Sequence, residues 1–303
     1  MKTCRGVTEL LDLRDEIAGR RPKVTVALVP TAGALHAGHR SLIRMARSVA
    51  DVVVVSVFVN PLQFGPDEDY ARYPRVLEDD LAVCEQEAVD VVFVPSVAEL
   101  YPSGRQVSVC SGQLGTVLEG QSRPGHYDGV LTIMSKLTNL VRPDMVILGQ
   151  KDPQQLAVVR KMAADLNCDV DIVAAPVVRD DDGLALSTRN RFLLAHERTS
   201  ALALPRALEA AAAHHSVEAV LAAARGVLQR AEQDGGLRLD YVALVQPQTF
   251  AALPPEHEGD ALLLVAARVG STRLIDHAEL NLARPKHEPQ WVDRHAERAS
   301  VGH

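Results

Sequence analysis

The stretch VPTAGALHAGHRSLI, Val29–Ile43, decides the fold. It starts in the β-branched run VTVALVP (Val24–Pro30), which suits a parallel strand buried on both faces. Small residues follow at Thr31, Ala32 and Gly33, then His36-Ala37-Gly38-His39, then apolar residues at Leu42, Ile43, Ala46, Val49 and Ala50. That last spacing is helical. A strand, a tight turn and a helix start form one edge of an open α/β sheet, where ligands bind beyond the carboxyl ends of the strands. The helix N-terminus offers free N–H groups and a favourable dipole to phosphate. Gly33 and Gly38 allow close approach of backbone to a ligand. His36 and His39 lie three apart on one side of the first turn, where either can donate to phosphate oxygens.

The same alternation continues outward. VVVVSVFV (Val52–Val59), VVFVP (Val91–Pro95), MVILG (Met145–Gly149) and DVDIVAA (Asp169–Ala175) read as further strands. Helices are predicted over Ser41–Asp51, Arg75–Ala88, Gly129–Val141 and Pro153–Asn167, the last with Pro at its first turn. Strand–helix alternation predicts a doubly wound parallel sheet covered on both faces. Near residue 185 the pattern changes to two Ala-rich helical stretches, Ala195–His214 and Val217–Asp234. Strands at Leu239–Val245, Ala261–Val269 and Thr272–His277 follow, which suggests a smaller α+β unit. The expected division is 1–184 for the ligand-binding domain and 185–283 for a smaller domain covering the site. A tail, 284–303, reads as disordered because it mixes charges without periodicity.

Composition narrows the partners. The 303 residues carry a net charge of −7 and only 4% aromatics, so neither a global positive field nor a stacking surface invites nucleic acid or an acidic membrane. The four cysteines are far apart and form no C-x-x-C pair, which argues against a zinc ribbon or a disulfide framework and for a reducing cytoplasm. The longest apolar run is too short to span a bilayer, and the N-terminus lacks a signal-peptide core.

Five segments in order carry a resemblance: VPTAGALHAGH, VSVFVNPLQFGPDEDYARYPR (Val55–Arg75), LEGQSRPGHYDGV (Leu118–Val130), LGQKDPQQLAVVRKMAADLN (Leu148–Asn167) and VVRDDDGLALSTRNRFL (Val177–Leu193), with TRLIDH near the C-terminus. The H-x-G-H after a first strand resembles the signature of nucleotidyltransferases related to class I aminoacyl-tRNA synthetases. Within that group the chain resembles the pantoate–β-alanine ligase family. The resemblance implies a Rossmann-like sheet and a two-step reaction. ATP and pantoate form an enzyme-bound pantoyl adenylate, and the amine of β-alanine then displaces AMP. It further implies Mg²⁺, a homodimer, and small-molecule partners only.

By the same resemblance, His36, His39 and Lys151 are the expected catalytic set, with His39 as proton donor and Lys151 on the phosphates. Thr31, Ala32, Gly33, Gly38, Gly149, Gln150, Asp152 and Val178 are expected around ATP. Leu186, Ser187, Thr188 and Arg189 correspond to a mobile segment gripping pyrophosphate, and an Arg beside two hydroxyls suits that task. Gln63 and Gln155, with Asn60 and Arg123, are expected around pantoate, since neutral amides pair with hydroxyls without burying net charge. Asp79 and Asp80 stand where the family has an acidic pair near the metal, although a solvated acidic helix face accounts for either alone. Lys151 is also placed by chemistry, because it follows a strand end at the sheet's carboxyl edge.

Four positions depart from the family pattern. Ala32 and Leu186 replace usual methionines, Gln150 a glutamate and Thr188 a serine. They leave two other functions to weigh. One is nucleotide transfer to a phosphorylated acceptor, which the amides Gln63 and Gln155 disfavour. The other is ATP binding without turnover.

Overall fold

The computed structural model of the chain describes residues 1–20, 24–66 and 68–283. The expected disorder of 284–303 lies outside the described residues. The strands are β1 (Lys2–Cys4), β2 (Val26–Thr31), β3 (Val52–Val57), β4 (Val91–Phe93), β5 (Met145–Gly149), β6 (Asp171–Ala175), β7 (Arg238–Val245), β8 (Gly259–Val269) and β9 (Thr272–Leu282). The helices are α1 (Val7–Arg20), α2 (Ala37–Val49), α3 (Leu77–Gln86), α4 (Val97–Leu100), α5 (Glu119–Ser122), α6 (His126–Val141), α7 (Pro153–Asp165), α8 (Ala195–Ala201), α9 (Ala203–Ala212) and α10 (Val217–Gln233).

β1 to β6 form one parallel sheet in the order β1-β4-β3-β2-β5-β6. The chain winds from β2 through β3 to β4, which lies beside the edge strand β1, and then on the other side from β5 to β6. The strand order therefore reverses at β2 and β5, the crevice where such sheets bind ligands. Both faces are covered. Leu28, Val52, Val54 and Val146 pack with the apolar sides of α1, α6 and α7. Val29, Val53, Val55 and Ile147 pack with Ile43, Ala46 and Cys84 of α2 and α3 on the other face. This is why the strands read as unbroken apolar runs.

β7, β8 and β9 form a separate antiparallel meander. One of its faces rests on α9 and α10 through Leu204, Leu208, Val220, Leu228 and Leu263. Leu262, Leu264, Val245 and Phe250 point the other way, toward Leu114, Leu118 and Ala157 of the first part. An α/β sheet with a smaller helix-backed antiparallel sheet is the expected fold class.

Three details differ from expectation. Ala195–His214 is two helices, α8 and α9, because Pro205 has no N–H to continue the first helix's bonding. β9 runs on to Leu282, paired with β8 as far as Gly259. β1 and α1 escaped notice: the strand has three residues, and the helix's apolar stripe (Leu10, Leu13, Ile17) is interrupted by charges.

One close approach fixes the loop after β3. A Cβ on Gly129 would lie 2.0 Å from the Leu62 carbonyl oxygen. The Asn60 amide also donates to the Gly129 carbonyl, 3.0 Å away. Gly129→Ala improves intrinsic helix propensity by about 1 kcal/mol. The collision should outweigh that gain and lower the unfolding free energy by about 1–3 kcal/mol, measured by urea denaturation. A variant as stable as the parent would refute this packing.

Candidate active site

A cavity of about 740 Å³ opens at the carboxyl ends of β2, β3 and β5 and is walled on its far side by β8–β9 residues such as Thr272 and Arg273. Its first wall is the turn between β2 and α2. Asp80, on α3, is only 2% exposed, and its two oxygens accept the N–H groups of Ala34 (2.9 Å) and Leu35 (2.7 Å). Gly33 is held at φ 80°, and a Cβ there would meet the Asp80 carboxylate at 2.9 Å. Asp80 is thus a brace for the turn. The resemblance places it beside a metal; in the structure each of its oxygens accepts one backbone N–H. Asp79, the other residue expected near a metal, is exposed on α3 and does not line the cavity.

The brace delivers two histidines to the start of α2. His36 is the N-cap: its Nδ1 accepts the Gly38 N–H at 3.1 Å. In return the His36 N–H donates to Nδ1 of His39 at 3.2 Å, and the rings lie 4.1 Å apart. With Nδ1 occupied as an acceptor, each neutral ring carries its proton on Nε2. Burial, then the Lys151 ammonium, holds His36 down to about 4, and burial, then His36, holds His39 down to about 3. At neutral pH both are uncharged N–H donors.

Lys151 follows β5 and lines the cavity. Burial lowers its pKa, with the carboxylate of Asp276 pulling the other way. It has no hydrogen bond or ion pair with any described residue. The cationic neighbours are committed. Arg189 holds Asp69 through two bonds of 3.0 Å. Burial alone would raise Asp69, but Arg189 more than offsets it and leaves the carboxyl low. Arg123 grips Glu68 at 2.8 and 2.7 Å and donates to His126 Nε2 at 2.8 Å. His126 donates its Nδ1–H to the Gln63 carbonyl at 2.8 Å, and burial, then Arg123, keeps its ring neutral with a pKa of about 3.

Gln63 and Gln155 both line the cavity with side-chain amides that have no hydrogen-bond partner among the described residues. Gln155 sits on α7, whose N-cap Asp152 accepts its N–H at 2.8 Å and the Tyr127 hydroxyl at 3.1 Å. Ser187 caps a short 3₁₀ turn, Thr188–Phe192, that presents Thr188 and Arg189. A backbone bond from Leu186 to Val178 (2.9 Å) brings those two side by side. Thr31, Ala32, Gly38, Gly149 and Arg123 complete the expected residues on the wall. Three others do not reach it. Gly33 lies behind the turn, and Gln150 continues the sheet through its N–H to Ala175. Asn60 is buried with its amide spent on Gly129, Leu62 and Tyr101, so it shapes the Gln63 loop rather than facing a ligand.

Two wall elements lay beyond sequence reasoning. Glu119, 4% exposed, accepts Arg273 at 2.5 and 2.8 Å and the Tyr241 hydroxyl at 2.7 Å, joining the two sheets across the cavity. Asp69 is the other. Their partners are 154 and 120 positions away, so no local pattern marks them. For a metal the donor set does not fit: among the described residues no group of three or more His, Cys, Asp and Glu could hold one. The wall carboxylates Glu68, Asp69 and Glu119 are each held by arginine, and Asp152 by Tyr127 and a helix N–H. No helix among the described residues is long and apolar enough to cross a membrane.

Known proteins with this arrangement are close in sequence. A family model described as pantoate-beta-alanine ligase matches residues 2–279. A pantothenate synthetase of Thermobifida fusca is 56% identical over 278 residues, covering 88% of this chain and 94% of that protein. The crystal structure of pantothenate synthetase from Thermus thermophilus is 43% identical, with a TM-score of 0.85 over 92% of this chain and 99% of that one. A pantoate-beta-alanine ligase from Francisella tularensis, solved in complex with β,γ-ATP and β-alanine, is 31% identical with a TM-score of 0.77, covering 92% and 97%. With the family pattern spanning nearly its whole length, the chain belongs to the pantoate–β-alanine ligases.

Proposed function

We propose that the chain condenses (R)-pantoate with β-alanine at the expense of ATP, giving pantothenate, AMP and pyrophosphate through a pantoyl adenylate. The observation that carries the reading is Lys151: a half-buried ammonium with no partner among the described residues, in a cavity where Arg123, Arg189 and Arg273 are already paired with carboxylates. It is supported by the ATP and β-alanine complex of the Francisella relative.

In the first step a pantoate carboxylate oxygen attacks the α-phosphorus of ATP, and pyrophosphate leaves with the bonding electron pair. Lys151 balances the charge of the phosphates, and the Nε2–H groups of His36 and His39 donate to phosphate oxygens. Donors fixed before ATP arrives need no reorganisation during reaction. Ser187, Thr188 and the free edge of Arg189 receive the leaving pyrophosphate, while Gln63 and Gln155 hold pantoate. Thr31, Ala32, Gly38, Gly149 and Val178 form the nucleotide wall. In the second step the uncharged amine of β-alanine attacks the acyl carbon, the acyl C–O bond breaks as AMP departs with the electron pair, and the nitrogen's proton passes to water. Mg²⁺ in this reading travels on triphosphate oxygens and water rather than in a cage of side chains. Residues 1–184 bind and activate, and 185–283 cover the site. A cytoplasmic homodimer completes the proposal, with free cysteines at Cys4, Cys84, Cys110 and Cys168 in keeping with a reducing compartment.

Three measurements test this. Incubated with ATP, Mg²⁺, pantoate and β-alanine, the protein should form AMP only when both organic substrates are present. AMP that ignores pantoate would end the ligase reading. Lys151→Ala should lower kcat by about 10²–10³-fold with the fold intact by circular dichroism. An unchanged kcat would remove Lys151 from the chemistry. The third concerns pH. His36, His39 and His126 have folded-state pKa values below the unfolded value of about 6.5. The unfolded chain therefore binds more protons between that value and about 4, so stability falls as pH drops through this window. Each histidine that stays neutral contributes a slope approaching about 1.4 kcal/mol per pH unit. Urea midpoints at pH 7.5, 6.5 and 5.5 should fall progressively; flat midpoints would contradict the buried neutral rings.

A further inference from the structure

We propose that Asp69 is a positioning residue for the first half-reaction: its carboxylate takes one edge of the Arg189 guanidinium and so aims the other at the leaving pyrophosphate. The proposal rests on the ligase reading above. A guanidinium offers two edges to an oxyanion, Nε with Nη2 and Nη1 with Nη2, in one rigid plane. Asp69 occupies the first, with Oδ2 on Nε and Oδ1 on Nη2, both at 3.0 Å. No described residue accepts from Nη1. The second edge is therefore open, on a side chain that lines the cavity together with Ser187 and Thr188. Two parallel bonds fix the plane of the group as well as the place of its charge, which a single bond would not.

Asp69 can serve as an anchor because its own loop, between β3 and α3, is held on both sides. Before it, Glu68 grips Arg123; after it, the Tyr70 ring packs on Phe64 with centroids 5.4 Å apart. Arg75 donates to the carbonyls of Tyr70 and Tyr73 at 3.2 and 3.0 Å. Asp69 itself is 9% exposed. Arg189, in contrast, rises from a single 3₁₀ turn with its side chain 30% exposed. A long side chain on such a turn samples many rotamers unless something holds it. The turn meets the loop a second time where the Arg72 guanidinium lies 5.2 Å from the centre of the Phe192 ring. Pyrophosphate leaves only in the first half-reaction, and in the second the leaving group is AMP. Loss of aim at Arg189 should therefore slow one step and spare the other.

The two steps can be read apart. Pantoate-dependent exchange of labelled pyrophosphate into ATP reports the first. Pantothenate released when β-alanine is added to protein preloaded with pantoyl adenylate reports the second. In Asp69→Asn the exchange rate should fall by about 10²-fold, the effect of a misplaced reacting group, while the second rate stays at the parent value. Asp69→Glu keeps a carboxylate but displaces it, so its loss should be smaller and again confined to exchange; it decides the matter if Asp69→Asn does not fold. Arg189→Lys carries a point charge with no plane to aim, so adding Asp69→Asn to it should cost nothing further. Equal loss in both steps, no loss of exchange, or an undiminished further loss in the Arg189→Lys background would overturn the proposal. Absence of pantoate-dependent exchange in the parent protein would instead sink the ligase reading.

Discussion

The carboxylate of Asp80 holds the site in place. It reaches from α3 to two successive backbone N–H groups in the turn after β2. That turn is not relaxed: Ala34 has φ 52°, a left-handed conformation that costs a residue with a Cβ. The two charge-assisted bonds compensate, and the adjacent Gly33 leaves room for the carboxylate. Everything downstream follows from this grip. The turn sets where α2 begins, the start of α2 makes His36 a cap and His39 its partner, and their reciprocal bonds decide which ring nitrogen faces the cavity.

Charge is distributed around that turn with economy. A chain of net charge −7 repels ATP and pantoate at long range, so attraction must be local. Most cavity-wall arginines nevertheless face carboxylates. Arg189–Asp69, Arg123–Glu68 and Arg273–Glu119 spend their charge on positioning, because buried ion pairs offset their desolvation with little to spare. Among the groups without such a partner are Lys151, two Nε2–H donors and two amides. A small set of free groups on a rigid, paired background is what selective binding of a compact anion requires.

What could be read from the sequence, and what could not, divides along distance in the chain. The buried strands and the helix starting at the histidines were legible because each rests on local period, whereas Gln63 and Gln155 were singled out by the family resemblance alone. The bracing role of Asp80 was not legible, because nothing in EDD tells that two amides 45 and 46 positions earlier will claim its oxygens. The bonds of Asn60 to Gly129, Leu62 and Tyr101, which hold the loop that bears Gln63, were hidden in the same way. Pro205 did mark the break between α8 and α9, yet the alanines around it hid the signal. The pairings of Glu119 with Arg273 and Asp69 with Arg189 needed the fold itself.

The seam between the two sheets bears on the order in which the protein comes into being. Leu114, Leu118 and Ala157 pack against Val245, Phe250, Leu262 and Leu264, and Glu119 waits for an arginine at position 273. During synthesis the parallel sheet is complete once β6 has emerged, about 60 residues before β7. Over that interval its apolar seam and a buried-type carboxylate stand uncovered, the kind of surface that aggregation exploits. Loop-closure entropy makes such distant contacts late. The cavity's last wall is therefore laid at the end of the chain, and a nascent protein has its phosphate turn long before it has a closed place to use it.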